Sequence, residues 1–153
     1  MALGHTTYKT PNAIFTIGSD LTNCEGFGVT LTGQGAVALA SATTDTPYGI
    51  VTVGGPSEDG VTYPGLIGGS SVEFVDMLGC TVQVQISGNG GVNATEFVLI
   101  DISAPGTFVS ANNVIVAAGD WAWGLALTNC AAGEQCLIRL QPVQVQYVAP
   151  TPP

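Results

Sequence analysis

"QCLIRLQPVQVQY", residues 135–147, decides the fold. Its end, "VQVQY" at 143–147, alternates strictly between apolar and polar side chains. Successive side chains of a strand point to opposite faces, so Cys136, Ile138 and Leu140 share one face, and Leu137, Arg139 and Gln141 share the other. "CTVQVQI" at 80–86 alternates in the same way, so both segments predict strands with one buried and one solvated face. Nowhere in the rest of the chain do apolar residues recur at helical spacing over a helical length. What recurs is short runs rich in Val, Ile, Thr and aromatics, bounded by Gly, Pro, Asn and Asp. They lie at 13–17, 27–31, 36–40, 48–53, 61–67, 71–75, 96–102, 113–118 and 121–128. Gly-rich loops at 54–60 and 87–93 and tight connections at 110–113 and 131–134 separate them. The pattern predicts an all-β domain over 13–148, a single compact barrel or sandwich of short strands. Residues 1–12 lack apolar periodicity and 149–153 are Pro-rich, so both predict extended arms.

A chain of 153 residues is long enough for one domain and too short for two ordinary ones. At this size about 68–70% of the unfolded surface can be buried, so no cofactor or crosslink is required for a core. Charged residues make up 8% of the chain, against about 25% in an average soluble domain. Hydrophobic residues make up 46%, which is not a disordered composition. No apolar run reaches membrane-spanning length. Net charge is −9, with Lys9 and Arg139 the only strong bases. Neutralising a phosphate backbone takes several Lys or Arg, so nucleic acid is not an expected partner, and anionic membrane is excluded on the same ground.

The N-terminus shows no basic region followed by an apolar one, so the expectation is a protein made in a cytoplasm with reduced thiols. Cys24, Cys80, Cys130 and Cys136 contain no CxxC, and His5 is the only histidine, so no metal site is expected. Cys130 and Cys136 lie symmetrically about Gly133 and so face each other across a predicted hairpin. Buried free thiols are the expected state, with a disulfide the alternative.

No catalytic residue emerges. His5 falls in the arm, which is a poor place for the base of a nucleophilic triad. "GNGGVN" at 88–93 has the glycines of a phosphate loop without its Lys or its helix, and reads as a hairpin loop. Asp45-Thr46-Pro47 is not an aspartic-protease tripeptide. Asp101 and Asp120 are the carboxylates one would try as a glycosidase pair, although Asp near turns is a routine structural choice. Glu58-Asp59 lacks the alternating oxygen ligands of a calcium loop. Asn93-Ala94-Thr95 matches a glycosylation sequon. Trp121 and Trp123, two apart on a strand, point to one face and serve either as a core anchor or as a sugar-binding platform. No cofactor is expected.

"YGIVTV" at 48–53 and "VIVAAGDWAWGLALTNCAAGEQCLIRLQPV" at 114–143, preceded by a polar arm, resemble the small capsid decoration (cement) proteins of phages. The likeness lies in the YGIV strand, the Gly-Asp step and the final hairpin built on Ala-Ala-Gly-Glu. It covers about the later two-thirds of the chain and contains no catalytic signature. The sequence departs from the usual pattern in its length, its four cysteines and the loop at 54–60. The resemblance implies a non-enzymatic homotrimer on the outer surface of an icosahedral phage head, with the major capsid protein as partner. Interface candidates are His5, Tyr8 and Lys9 of the arm, with Trp121, Trp123 and Arg139; an exposed strand side chain is the other reading of Arg139. Rival readings are a head-fibre or minor capsid component and a carbohydrate-binding β module.

Overall fold

The alternation at 135–144 is realised as the longest strand, and the fold is arranged around it. The computed structural model describes residues 16–17, 21, 23–33, 36–51 and 81–146. Among these, strands β1 (Thr16–Ile17), β2 (Gly28–Gly33), β3 (Ala36–Leu39) and β4 (Gly49–Ile50) form one sheet in the order β1-β3-β2-β4. Strands β5 (Thr81–Gln85), β6 (Phe97–Ile100), β7 (Phe108–Ser110), β8 (Trp121–Ala126) and β9 (Gln135–Gln144) form the other, in the order β5-β9-β8-β6-β7. Pairing is antiparallel except between β1 and β3. A lone parallel bridge joins Ile86 to Phe108, but no ladder connects β5 with β7, so the sheet does not close. The fold is all-β, with the two open sheets of a sandwich rather than a barrel.

The inward residues of β9, Cys136, Ile138 and Leu140, are fully buried. They pack with Val82 and Val84 of β5, Val98 and Ile100 of β6, Phe108 and Trp123, and Ala40 and Ile50 of the four-stranded side complete this core. At Gly28 the two sheets approach closely. A Cβ there would lie 2.9–3.0 Å from Phe108, Ile100 and Trp123, so only glycine lets β2 cross those rings. On the other side of β2, Val29 packs with Leu21, Cys24, Val37 and Val51. Backbone bonds join the layers: Gly28 donates to Gly106 at 2.7 Å, Gly106 to Ala40 at 2.7 Å and Trp121 to Thr43 at 2.7 Å.

Two expectations are corrected. Residues 113–118 do not form a strand. A 3-10 turn takes Ala111–Asn113, capped by Ser110, and Ile115 beyond it is 96% exposed. The run carries strand-type side chains but has no partner strand. The strand that does form there is β7, just upstream. The second correction concerns the hairpin cysteines, which are a disulfide and not free thiols: Cys130 and Cys136 are bonded, with Cα atoms 5.6 Å apart. Antiparallel pairing on either side of the Ala131–Glu134 turn brings them to bonding distance without a detour of the backbone. The expectation of thiols leaned on compartment, whereas hairpin geometry decides the outcome. The arm with His5, Tyr8 and Lys9, the runs at 61–67 and 71–75, Glu58-Asp59, Cys80 and the tail at 149–153 lie outside the described residues.

Candidate interaction surface

The outward face of β9 is where the chain's described cation sits. Arg139 is opposite Thr81 of β5 on one side and Leu125 of β8 on the other, and Leu125 is opposite Phe97 of β6. Directly paired residues share a face, so Thr81, Arg139, Leu125 and Phe97 form one row across four strands. The next row contains Gln83 paired with Leu137, and Leu127, whose N–H donates to the Leu137 carbonyl at 2.9 Å. Phe97 is 43% exposed and Leu127 42%, with Leu125 and Leu137 half-buried. The result is an apolar stripe edged by Thr and Gln, with a single guanidinium in it. Arg139 forms no ion pair or hydrogen bond with a described residue.

Backbone packing fixes where Arg139 stands. A Cβ on Gly124, which is opposite Leu140, would overlap the Arg139 carbonyl oxygen, so glycine is what allows β8 to lie so close to β9 beside this row. The ladder shifts register between Ala122 and Gly124, one residue away. Such irregularities re-aim side chains. Trp123 sits at the shift, with its ring inside the core, 5.3 Å from Phe108 in an edge-to-face contact. Trp121 is half-buried and packs against the same core. The interface expectation for Trp123 is therefore corrected, and the paired-tryptophan sugar platform with it: a fully buried indole meets no ligand.

The carboxylates form fixed structural anchors. Asp120 is buried and accepts from Thr43 Oγ1 at 2.7 Å and from the Ala117 N–H at 2.7 Å, tying the Gly119-Asp120 step to the four-stranded side. Asp45 accepts from the Ser41 and Ala42 N–H groups and closes its own turn. Glu96 accepts from the Asn93 backbone N–H and side-chain amide, from the Ser110 hydroxyl at 2.7 Å and from the Asn112 amide. Those bonds, those from Asn93 foremost, lower its pKa to about 2. At Asp101 burial works to raise the pKa, but bonds from Ser87, Ser103 and Asn89 outweigh it and hold the carboxyl at about 2. Neither Glu96 nor Asp101 carries at neutral pH the proton that a general acid must deliver. Asp101 and Asp120 both serve as clamps between separate connections.

One groove beside the hairpin stands apart from the stripe. It has a volume of about 660 Å³ and is lined by Asn89, Asn93, Asn113 and Asn129 with Gly90 and Gly91. The sequence pointed to the Gly-rich loop but not to the clustering of asparagines beside it, which come from three separate connections, β5–β6, β7–β8 and β8–β9. Among the described residues no group of His, Cys, Asp and Glu could hold a metal ion, and no helix is long and apolar enough to cross a membrane. No family model and no curated protein matches the chain.

Proposed function

We propose that this protein is a structural component of a phage virion, a capsid decoration protein that acts as a homotrimer on the outside of an icosahedral head. The observation that carries the reading is the apolar stripe with its lone guanidinium. Protein interfaces are depleted in Lys, Glu and Asp and enriched in aromatic residues and Arg at their centres, which describes the row Arg139, Leu125 and Phe97. The turns behind the sequence likeness support the reading as well. The Gly119-Asp120 step and the Ala131–Glu134 hairpin turn both hold the strands that present this face. On this reading Arg139 meets a carboxylate of the major capsid protein, to which guanidinium offers a bidentate contact.

The test is co-sedimentation with undecorated shells. Arg139→Glu should bind at least about tenfold more weakly, because like charges at an interface are repelled and a central Arg is a typical hot spot. A deletion of residues 1–12 run alongside separates the face from the arm. Undiminished binding by Arg139→Glu removes the sheet face from the mechanism. A second reading, a carbohydrate-binding module, is favoured by the asparagine-lined groove, whose amides suit hydroxyl-rich ligands. Chemical-shift changes confined to Asn113 and Asn129 on titration with oligosaccharides would select it.

A further inference from the structure

The loop at 87–91 contains Asn89-Gly90, the one Asn-Gly pair in the chain. Asparagine before glycine is the arrangement most open to intramolecular deamidation, because no side chain on the following residue hinders its backbone nitrogen from reaching the amide carbon. Asn89 is exposed, and Gly90 adopts φ +148. Yet the amide is engaged. Asn89 Nδ2 donates to Asp101 Oδ2 at 2.6 Å and to Ser103 Oγ at 2.6 Å. The Asn89 N–H also donates to Ser87 Oγ at 3.2 Å. Asp101 itself is buried and further accepts from the Ser103 N–H at 2.9 Å and the Ser103 hydroxyl at 2.7 Å. Together with the Ser87 bond to Asp101, this NH2 group latches the 87–91 loop to the connection between β6 and β7.

We propose that Asn89 is a deamidation site whose reaction this latch restrains in the folded protein and whose product opens the latch irreversibly. In the reaction the Gly90 backbone nitrogen loses its proton and attacks Asn89 Cγ. The Cγ–Nδ2 bond breaks, and the nitrogen departs as ammonia with the electron pair and a proton. Water then adds to one of the two carbonyls of the resulting cyclic imide. Opening at one carbon gives aspartate and at the other isoaspartate, so the net change is amide plus water to acid plus ammonia. No oxidant or cofactor enters.

The latch acts on both ends of this sequence. While Nδ2 is held by two acceptors, the side chain cannot turn its Cγ toward the Gly90 nitrogen without giving up both bonds. Reaction therefore passes through a local opening of the loop. Afterwards the side chain has no N–H to donate, and a second carboxylate faces that of Asp101. Two carboxylates at hydrogen-bond distance cannot both remain ionised without cost, so the loop does not re-close in the same way. One wall of the asparagine-lined groove changes from neutral to acidic in the process.

The experiment incubates the full chain at mildly alkaline pH with and without urea. Peptide mass spectrometry follows the 89–90 segment, and enzymatic methylation reports isoaspartate. Conversion at Asn89 should be about tenfold or more slower without urea, because reaction then depends on local opening. Ser103→Ala removes one exposed acceptor and should speed the native reaction while leaving the urea rate unchanged. Asn89→Asp, made directly, should melt below the parent protein without incubation. Equal rates with and without urea would overturn the latch, and earlier conversion of another asparagine in urea would overturn the site. An unchanged melting temperature for Asn89→Asp would overturn the consequence.

Discussion

Trp123 fills the centre of the main core, and its indole N–H finds no acceptor there. The side chain contributes through ring area and its edge contact with Phe108, against the cost of an orphaned donor. Trp123→Ala should lose about 3–5 kcal/mol in urea unfolding, the usual range for emptying such a site. Trp123→Phe should lose distinctly less, because it removes the unpaired N–H along with part of the ring. Equal losses would mean that the donor is satisfied in solution. The sequence placed both tryptophans toward one side, and both do pack on the same core. It did not show which of them remained accessible, because that depends on the register shift between Ala122 and Gly124 and on the bare Gly28 opposite. Arg139 was more legible. Strict alternation with Ile138 and Leu140 is a local property, and it alone turns the guanidinium outward.

The hairpin of β8 and β9 concentrates the fold's local order in one element. Gly133 takes φ +80 in the turn, the Ala131 N–H donates to Glu134, and the Cys130–Cys136 bond closes the loop. Cys130 also bridges to Val92, so the crosslink is attached to the neighbouring connection as well as to its own hairpin. For a loop this short, chain entropy gives about 2 kcal/mol. Reduction should therefore lower the stability by about that amount and leave a cooperative transition, since Cys136 is also held by the ladder to Val84. A melting temperature indifferent to reductant would show that the thiols are free in solution. The same comparison shows what sequence reading resolves among strands. Alternating segments such as 80–86 and 143–147 are self-evident, because their pattern survives any choice of neighbours. The three residues of β7 carry too little pattern to be seen. Residues 113–118 carry a pattern without a partner, as Asp120 captures the Ala117 N–H for a turn.

At the scale of the whole molecule, acidic charge and acid stability are linked through two carboxylates. Glu96 joins the turn before β6 to the Ser110-capped turn after β7, and Asp101 joins the β6–β7 connection to the 87–91 loop. Both have folded-state pKa values of about 2, below the ordinary carboxylate values of 4.5 and 3.8 that the unfolded chain approaches. A depressed folded pKa means that the unfolded state binds the proton first. The stabilisation is therefore complete above the ordinary carboxylate range and drains away as pH falls from there toward about 2. Melting temperature should decline across that window in the parent protein. Glu96→Gln and Asp101→Asn should each be less stable than the parent at neutral pH and show a shallower decline in acid, since each removes one group that takes up a proton on unfolding. The two sites share no hydrogen-bonding partner, so the double variant should show roughly the summed flattening. A parent protein whose stability is flat through that window would mean that the donors around these carboxylates are not held in solution. The turn between Asn93 and Glu96 and the latch at Asn89 would then both have to be redrawn.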